Sequence, residues 1–141
     1  MKIRRARLDD IEVIHALLDQ LLPAALDRQK PMWRKLLRME GYLAWVAEVD
    51  SVSAGFLDLF TFPDMAHGGT MGLIDNLVVD GRFRGQGVGQ ALLRKAIAEC
   101  RRRRLMELHL WTDFGNEAAI GLYKKLGFRG CSLLMELQLR D

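Results

Sequence analysis

The chain has 141 residues, with 21 basic against 18 acidic side chains, half of all residues apolar and 28% charged. That length holds one domain and too little for two ordinary ones, and the balance supports a packed interior and excludes disorder along most of the chain. A formal charge of +3 is a small arginine excess and not a polycationic surface, so nucleic acid is not required as a partner. Cys100 and Cys131 make neither a disulfide framework nor a C-x-x-C pair, which fits a reducing compartment. The opening MKIRRARLDDIE lacks an apolar h-region, and no later run approaches the roughly 18 apolar residues of a membrane span, so the sequence reads as cytoplasmic with no membrane partner.

In chain order, Ile3 to Arg7 reads as a short strand. Leu8-Asp9-Asp10 offers an Asp cap, after which Ile11, Ile14, Leu17, Leu18 and Leu21 recur at helical spacing until Pro23. A second helical stretch falls between Ala24 and Glu40, with Pro31 breaking it or opening its second half and Gly41 as the stop. Tyr42 to Val49 and Ala54 to Phe62, joined by Asp50-Ser51-Val52-Ser53, read as an antiparallel hairpin, and Pro63 to Gly69 as a loop. Met71 to Val79 has apolar residues on both faces, as a central strand does: Leu73, Asp75, Leu77 and Val79 on one, Ile74, Asn76 and Val78 on the other.

A glycine-rich stretch, Gly81 to Gly89, then leads into a helix running to about Arg103, with Leu92, Leu93, Ala96, Ile97 and Cys100 as its apolar stripe. A strand at Met106 to Thr112, a helix from Asn116 to Leu126 closed by Gly127, and a strand near Leu133 to Leu139 complete the chain. The order β-α-α-β-β-β-α-β-α-β predicts a mixed α/β sheet in a single domain over residues 1–141.

The segment Asp80-Gly81-Arg82-Phe83-Arg84-Gly85-Gln86-Gly87-Val88-Gly89 places spaced glycines between a strand and a helix N-terminus. The first N–H groups of a helix have no intrahelical partner, the macrodipole adds positive potential, and the missing Cβ atoms let a phosphate approach the backbone. Arg82 and Arg84 add formal charge. Glycines also serve tight turns that hold no ligand. A dinucleotide fingerprint from Gly85 fails at Gln90, and no Gly-Lys-Ser or Gly-Lys-Thr tripeptide supports a Walker A loop.

Arg84-x-x-Gly87-x-Gly89, together with the downstream stretch ending Leu122-Tyr123-Lys124-Lys125-Leu126-Gly127-Phe128, resembles the two cofactor motifs of the GNAT superfamily of acyl-CoA N-acyltransferases. The resemblance is specific from about Leu73 to Phe128 and architectural before that. It implies an α/β (α+β) GNAT fold, a mixed and mostly antiparallel central sheet with helices on both faces. It also implies acetyl-CoA as acyl-donor co-substrate, its pantetheine arm bonded to backbone groups of Leu77, Val78 and Val79. The pyrophosphate would lie on backbone N–H groups of Arg84, Gly85, Gln86, Gly87, Val88 and Gly89, which agrees with the anion site read from the glycines.

Asn116 and Tyr123 lie seven apart and share a helix face. The resemblance makes Asn116 a cofactor contact, although an ordinary N-cap suits its position equally. Tyr123 resembles the family tyrosine that protonates the departing thiolate, with a buried aromatic whose hydroxyl is satisfied as the alternative.

An acyl thioester is already activated, so direct attack by a neutral amine needs no covalent enzyme intermediate. A primary alkylamine with a pKa near 10.4 is protonated at neutral pH, so some group must remove a proton. Asp75 is the candidate base, two residues before the expected pantetheine contact, where related enzymes often carry an acidic residue; pairing with an arginine is its alternative. The N–H of Leu77 or Val78 would stabilise the thioester carbonyl.

His15, His67 and His109 lie far apart without metal-ligand spacing, and no serine sits in a nucleophile elbow, so neither metal nor triad is expected. Cys100 belongs to core packing, and the Arg101 to Arg104 run to a solvated helix end. For the acceptor pocket, Trp33, Phe60, Phe62, Met65 and Met71 offer an apolar wall and Asp58, Asp64 and Asp75 a cation site, each equally able to be core or surface. The expected partners are thus acetyl-CoA and an amine acceptor, a small molecule favoured over a protein, with a homodimer left open. The competing function is a noncatalytic CoA-binding or protein-interaction module with the same fold.

Overall fold

The structure, a computed structural model, describes residues 1–140. It divides into two compact units, Met1–Leu110 and Trp111–Asp141.

The first unit is built on a 5-stranded sheet. Its strands are β1 (Lys2–Arg5), β2 (Tyr42–Val49), β3 (Val52–Asp64), β4 (Gly69–Val79) and β5 (Leu108–Leu110), hydrogen-bonded in chain order. Neighbouring strands run antiparallel except β4 and β5, which are parallel, giving the mixed, mostly antiparallel sheet expected. Between β1 and β2 lie a 3-10 turn (Leu8–Asp10) and the helices α1 (Ile11–Asp19) and α2 (Leu26–Arg38). Ile14 and Leu17 of α1 and Trp33 of α2 pack with Tyr42, Ala44, Val46, Phe56 and Val78 of the sheet. The helix α3 (Val88–Arg102) covers the opposite face, where Val88 and Leu92 lie against Gly55 of β3.

Pro31 neither breaks α2 nor opens a second half; it lies inside the continuous helix. Only the bond to the Asp27 carbonyl is lost early in the helix. Burial of Trp33, whose Nε1 donates to the Arg7 carbonyl at 3.2 Å, keeps α2 on the sheet. The hairpin between β2 and β3 turns on Asp50 and Ser51 alone, with φ of 49° and 64°, the paired left-handed geometry that matches strand twist. Pro63 and Asp64, expected in a loop, extend β3 opposite Thr70 and Gly69. Pro63 lies past the end of β2, so β3 has a single neighbour there and tolerates a residue without an N–H.

The second unit contains the helix α4 (Glu117–Lys125). The strand expected at Leu133 to Leu139 is not formed, and residues 128–140 carry no regular secondary structure. Leu133, Met135, Leu137 and Leu139 stand exposed. Their alternation has the period of a strand, but a strand exists as a ladder, and the described residues of this unit supply no second strand to pair with. Among the described residues, no helix is long and apolar enough to cross a membrane.

Candidate functional site

The chain leaves β4 at Val79, makes a 3-10 turn over Gly81–Phe83 and enters α3 at Val88. Asp80 anchors the turn: its carboxylate accepts the Arg82 N–H at 2.8 Å and the Arg82 side chain at 3.1 Å, and its own N–H donates to the Ala54 carbonyl at 2.8 Å. The Arg82 guanidinium holds the Asp80 carboxyl down at about 2. Arg82 is therefore already paired, whereas among the described residues the exposed Arg84 donates only to the Val79 carbonyl, at 3.3 Å.

Gly87 caps α3 with φ of 81°, a left-handed conformation that favours glycine, and a Cβ there would meet nothing within 4 Å. The space above the first turn of α3 is thus open, and the N–H groups of that turn have no intrahelical acceptor. Arg84, Gly85, Gln86 and Gly87 are exposed around it, Gly89 is half-buried, and Val88 is buried as the anchor of the helix. An anionic phosphate fits this cradle by charge, by donors and by room.

β4 carries the second part of the site. Its ladder to β5 covers only Gly72 to Ile74, so the stretch Asp75 to Val79 runs on with no strand at that edge among the described residues. On the β3 side the register slips: Asn76 pairs with Asp58 and Ile74 with Leu59, leaving Asp75 as the extra residue of a β-bulge. The slip changes the expected faces, because strict alternation no longer holds across Asp75. Asn76 and Val78 stay opposite Asp58 and Phe56, whereas Ile74 moves to the face of Leu57, Leu59 and Leu77. The N–H groups of Asn76 and Asp80 point toward β3, donating to Asp58 at 2.8 Å and to Ala54 at 2.8 Å. By alternation along an extended strand, the N–H groups of Leu77 and Val79 point to the open edge and that of Val78 points back to β3.

Asp75 is exposed, with its Oδ2 accepting from Asn76 Nδ2 at 3.2 Å. No arginine pairs with it among the described residues. Asp58, which the sequence leaves open as a cation site, core or surface, is core, at 4% exposed. It accepts from the Tyr42 hydroxyl at 2.6 Å, and from the Asn76 backbone and side chain at 2.8 and 3.0 Å. Burial dominates over these donors and pushes its carboxyl up to about 6, while the Tyr42 hydroxyl is raised by its own burial and by the Asp58 charge.

In the second unit, Asn116 is the N-cap of α4, accepting the Ala119 N–H at 3.4 Å. Tyr123 lies near the other end, half-buried, and burial raises its hydroxyl above the ordinary tyrosine value. The residues after it close the helix. Phe128 N–H donates to the Tyr123 carbonyl and Gly127 N–H to the Lys124 carbonyl, each at 3.0 Å, with Gly127 at φ of 101°. This is a Schellman cap, and its usual apolar contact is made by the Tyr123 and Phe128 rings, edge to face with centroids 6.1 Å apart.

Of the apolar wall candidates, Trp33 and Met71 are core, Phe60 is half-buried, and Phe62 and Met65 are exposed. Asp64 is held by His67 at 2.6 Å. His67 and His109, far apart in sequence, both contact Glu107, at 3.2 and 2.8 Å, a cluster that sequence spacing had no means to reveal because it joins the turn between β3 and β4 to the start of β5. Among the described residues no group of three or more His, Cys, Asp or Glu side chains is arranged so that it could hold a metal ion. Cys100 is buried and its thiol is pushed up to about 11 by that burial, as expected of a packing residue. Arg102 and Arg103 both grip Glu99, at 2.6 and 2.7 Å. Sequence reasoning missed Tyr42 and Asn76 as partners of a buried carboxylate; an Asp in an otherwise apolar strand was the available signal.

The model of the acetyltransferase (GNAT) family matches residues 11–128. The chain is 31% identical over 147 residues to an N-alpha-acetyltransferase of Sulfurisphaera tokodaii, covering 94% of this chain and 83% of that protein. Shorter matches join it to an uncharacterized N-acetyltransferase of Methanocaldococcus jannaschii, 44% identical over 55 residues, 39% of this chain and 24% of that protein. Over 58 residues it is 40% identical to the ribosomal protein bS18-alanine N-acetyltransferase of Escherichia coli, 41% of this chain and 39% of that protein. Among solved structures, an acetyltransferase of Trypanosoma brucei superposes with a TM-score of 0.80 at 26% identity over 98% of this chain and 99% of that one. The aminoglycoside N-acetyltransferase AAC(6')-Iy in complex with CoA gives 0.85 at 21% identity over 99% and 95%, a likeness of fold.

Proposed function

The chain belongs to the GNAT acetyltransferase family, and from that premise we propose that it moves an acetyl group from acetyl-CoA to a primary amine by direct attack in a ternary complex. The observation that carries this reading is the conjunction, in one unit, of an open glycine cradle at the N-terminus of α3 with a β4 edge that runs on bare past Ile74. The cradle would take the pyrophosphate on the N–H groups from Arg84 to Gly89. The bare edge would take the pantetheine amides through the N–H groups of Leu77 and Val79 and the carbonyl of Leu77, whereas both backbone groups of Val78 face β3.

Acetyl-CoA, when bound, supplies an acyl thioester that is already activated, so the chain needs no nucleophile of its own. Asp75, exposed at the bulge beside that edge, accepts the proton that the acceptor ammonium must lose before its nitrogen bonds to the acyl carbon. Tyr123 gives its hydroxyl proton to the sulfur as the carbon–sulfur bond breaks, and the second proton, shed by the nitrogen as the amide forms, returns through solvent to restore the hydroxyl. The hydroxyl is protonated at neutral pH, as an ordinary tyrosine is and more so where burial raises it, and so has the proton to give. Asn116, with its Oδ1 used for the cap, has its Nδ2 left for the cofactor. In this reading residues 1–141 act as one transferase domain without a metal.

The acceptor proposed is a small amine. One structural neighbour is named for aminoglycosides and one relative for a protein alanine, so both classes belong in any acceptor panel. Titration calorimetry with CoA tests the cofactor half directly. Wild-type protein should bind CoA and Gly87→Val should lose at least about tenfold in affinity while remaining folded; equal binding by both would remove the cradle from the reading.

A further inference from the structure

Asp58 is a buried carboxylate to which the chemistry proposed above gives no role. Burying a charge in the middle of a sheet is costly unless it is hydrogen-bonded, and here four polar contacts converge on the two oxygens from three donor groups. The Tyr42 hydroxyl donates to Oδ2 at 2.6 Å, the Asn76 backbone N–H to Oδ1 at 2.8 Å, and Asn76 Nδ2 to Oδ1 and Oδ2 at 3.0 and 3.3 Å. The backbone contact falls where the β3–β4 register slips, so the Asp58 side chain takes an N–H at the bulge that ejects Asp75 from the ladder. The same Asn76 Nδ2 also donates to Asp75 Oδ2, at 3.2 Å. An amide nitrogen has two hydrogens, and this arrangement spends one on each carboxylate.

We infer that Asp58 is a positioning residue: ionised, it fixes Asn76 at the bulge, and through the Asn76 amide it fixes the carboxylate of Asp75. This rests on the reading of Asp75 as the base. A protonated Asp58 is neutral and keeps only Oδ1 free to accept from Asn76, so the charge-assisted hold on the Asn76 amide weakens and the orientation of Asp75 loosens with it. The titratable groups that bear on Asp58 are Tyr42 on β2 and Asp75 on β4. Burial and the Asp75 charge push its carboxyl up, and the donors from Tyr42 and Asn76 pull it down, leaving it at about 6. The positioning link is therefore strongest at neutral pH and weakened in mild acid.

The test is carbon-13 NMR of the aspartate carboxyl groups in the full chain across pH 4 to 8. Asp58 should titrate near pH 6, and the Asp75 resonance should show an inflection at the same midpoint. Tyr42→Phe removes a donor to the ionised form, so both midpoints should rise together by about half to one pH unit. Asn76→Ala should abolish the Asp75 inflection while Asp58 still titrates. An Asp75 resonance blind to Asp58, or an inflection that survives Asn76→Ala and so reports charge through space, overturns the inference. In amine-dependent acetyl transfer, Asp58→Asn should lower kcat about tenfold with little change in KM for acetyl-CoA, and should add nothing in an Asp75→Asn background. Full activity of Asp75→Asn alone would instead overturn the base reading, which the NMR does not touch. If Asp58→Asn fails to fold, wild type, Tyr42→Phe and Asn76→Ala still decide the matter.

Discussion

The N–H of Phe128 donates to the carbonyl of Tyr123 at 3.0 Å, and the two rings meet edge to face at 6.1 Å. The residues that end α4 thus also fix the side chain proposed to protonate the leaving sulfur. The stretch from Leu122 to Phe128 is a helix terminus whose glycine turns the chain and whose last aromatic ring packs back on Tyr123.

Tyr123→Phe removes the proton and keeps the ring, so kcat should fall roughly a hundredfold while KM for acetyl-CoA changes little. Phe128→Ala keeps the hydroxyl and frees the ring, and should lower kcat by less with the same unchanged KM. Steady-state kinetics with a fixed amine separate the two. A rise in KM at constant kcat for either variant would assign Tyr123 to binding.

Gly55 and Gly87 make opposite demands. A Cβ at Gly55 would stand 3.0 Å from Val88 Cγ1, Leu92 Cδ1 and the Val78 carbonyl oxygen, so Gly55→Val overpacks the junction of α3 with the sheet. It should cost about 1–3 kcal/mol in stability and weaken CoA binding secondarily, by displacing the α3 N-terminus. Gly87→Val has room but the wrong φ, and should weaken CoA binding with a smaller loss of stability. Thermal denaturation beside CoA titration distinguishes these two patterns.

Asp58 is predicted to cost stability at neutral pH. Its folded carboxyl, at about 6, lies above the ordinary carboxylate value, so the native state holds the proton more tightly than the unfolded chain does. Stability from this group is therefore present below about pH 4 and lost as pH rises through 6, by up to about 3 kcal/mol. Asp58→Asn should be progressively more stable than wild type over that interval, while its catalysis is impaired. A constant difference in melting temperature between the two from pH 4 to 8 would contradict this.

The Arg4–Asp10 pair acts in the opposite direction. Burial pushes the Asp10 carboxyl up, but two bonds from the Arg4 guanidinium at 2.8 Å and the Arg7 N–H at 2.7 Å bring it below the ordinary value. Its contribution is present above the unfolded pKa near 3.9 and lost as pH falls through the lower folded one. Arg4→Met leaves Asp10 and Glu48 without the guanidinium, and should cost about 1–3 kcal/mol at pH 7. The loss should shrink toward pH 2, as followed by denaturant unfolding.

Most of the element order was legible because its signals are local. Tyr42 to Val49 is an almost unbroken β-rich apolar run, Gly127 follows the last apolar residue of its helix, and the glycines from Gly85 to Gly89 announce a cradle from spacing alone. What escaped depended on neighbours. Pro31 is tolerated because tertiary burial of Trp33 outweighs one lost bond. The Asp75 bulge is a property of two strands in register, so the faces of β4 were misassigned on one side of it. Asp58 stays open between cation site, core and surface in the sequence because nothing within β3 announces Tyr42 and Asn76 as its partners. Leu133 to Leu139 has the pattern of a strand but no ladder, and pattern alone does not supply one.

Release of free thiol from acetyl-CoA tests the central claim most directly. The protein is offered polyamines, aminoglycosides, amino acids, arylalkylamines and peptides with a free N-terminal alanine, each against an acceptor-free blank. Amine-dependent release with at least one class, lost in Tyr123→Phe and in Asp75→Asn, is the result expected. No release above the blank with any amine, in a preparation that binds acetyl-CoA, would contradict the transferase and favour a module that holds the cofactor without using it.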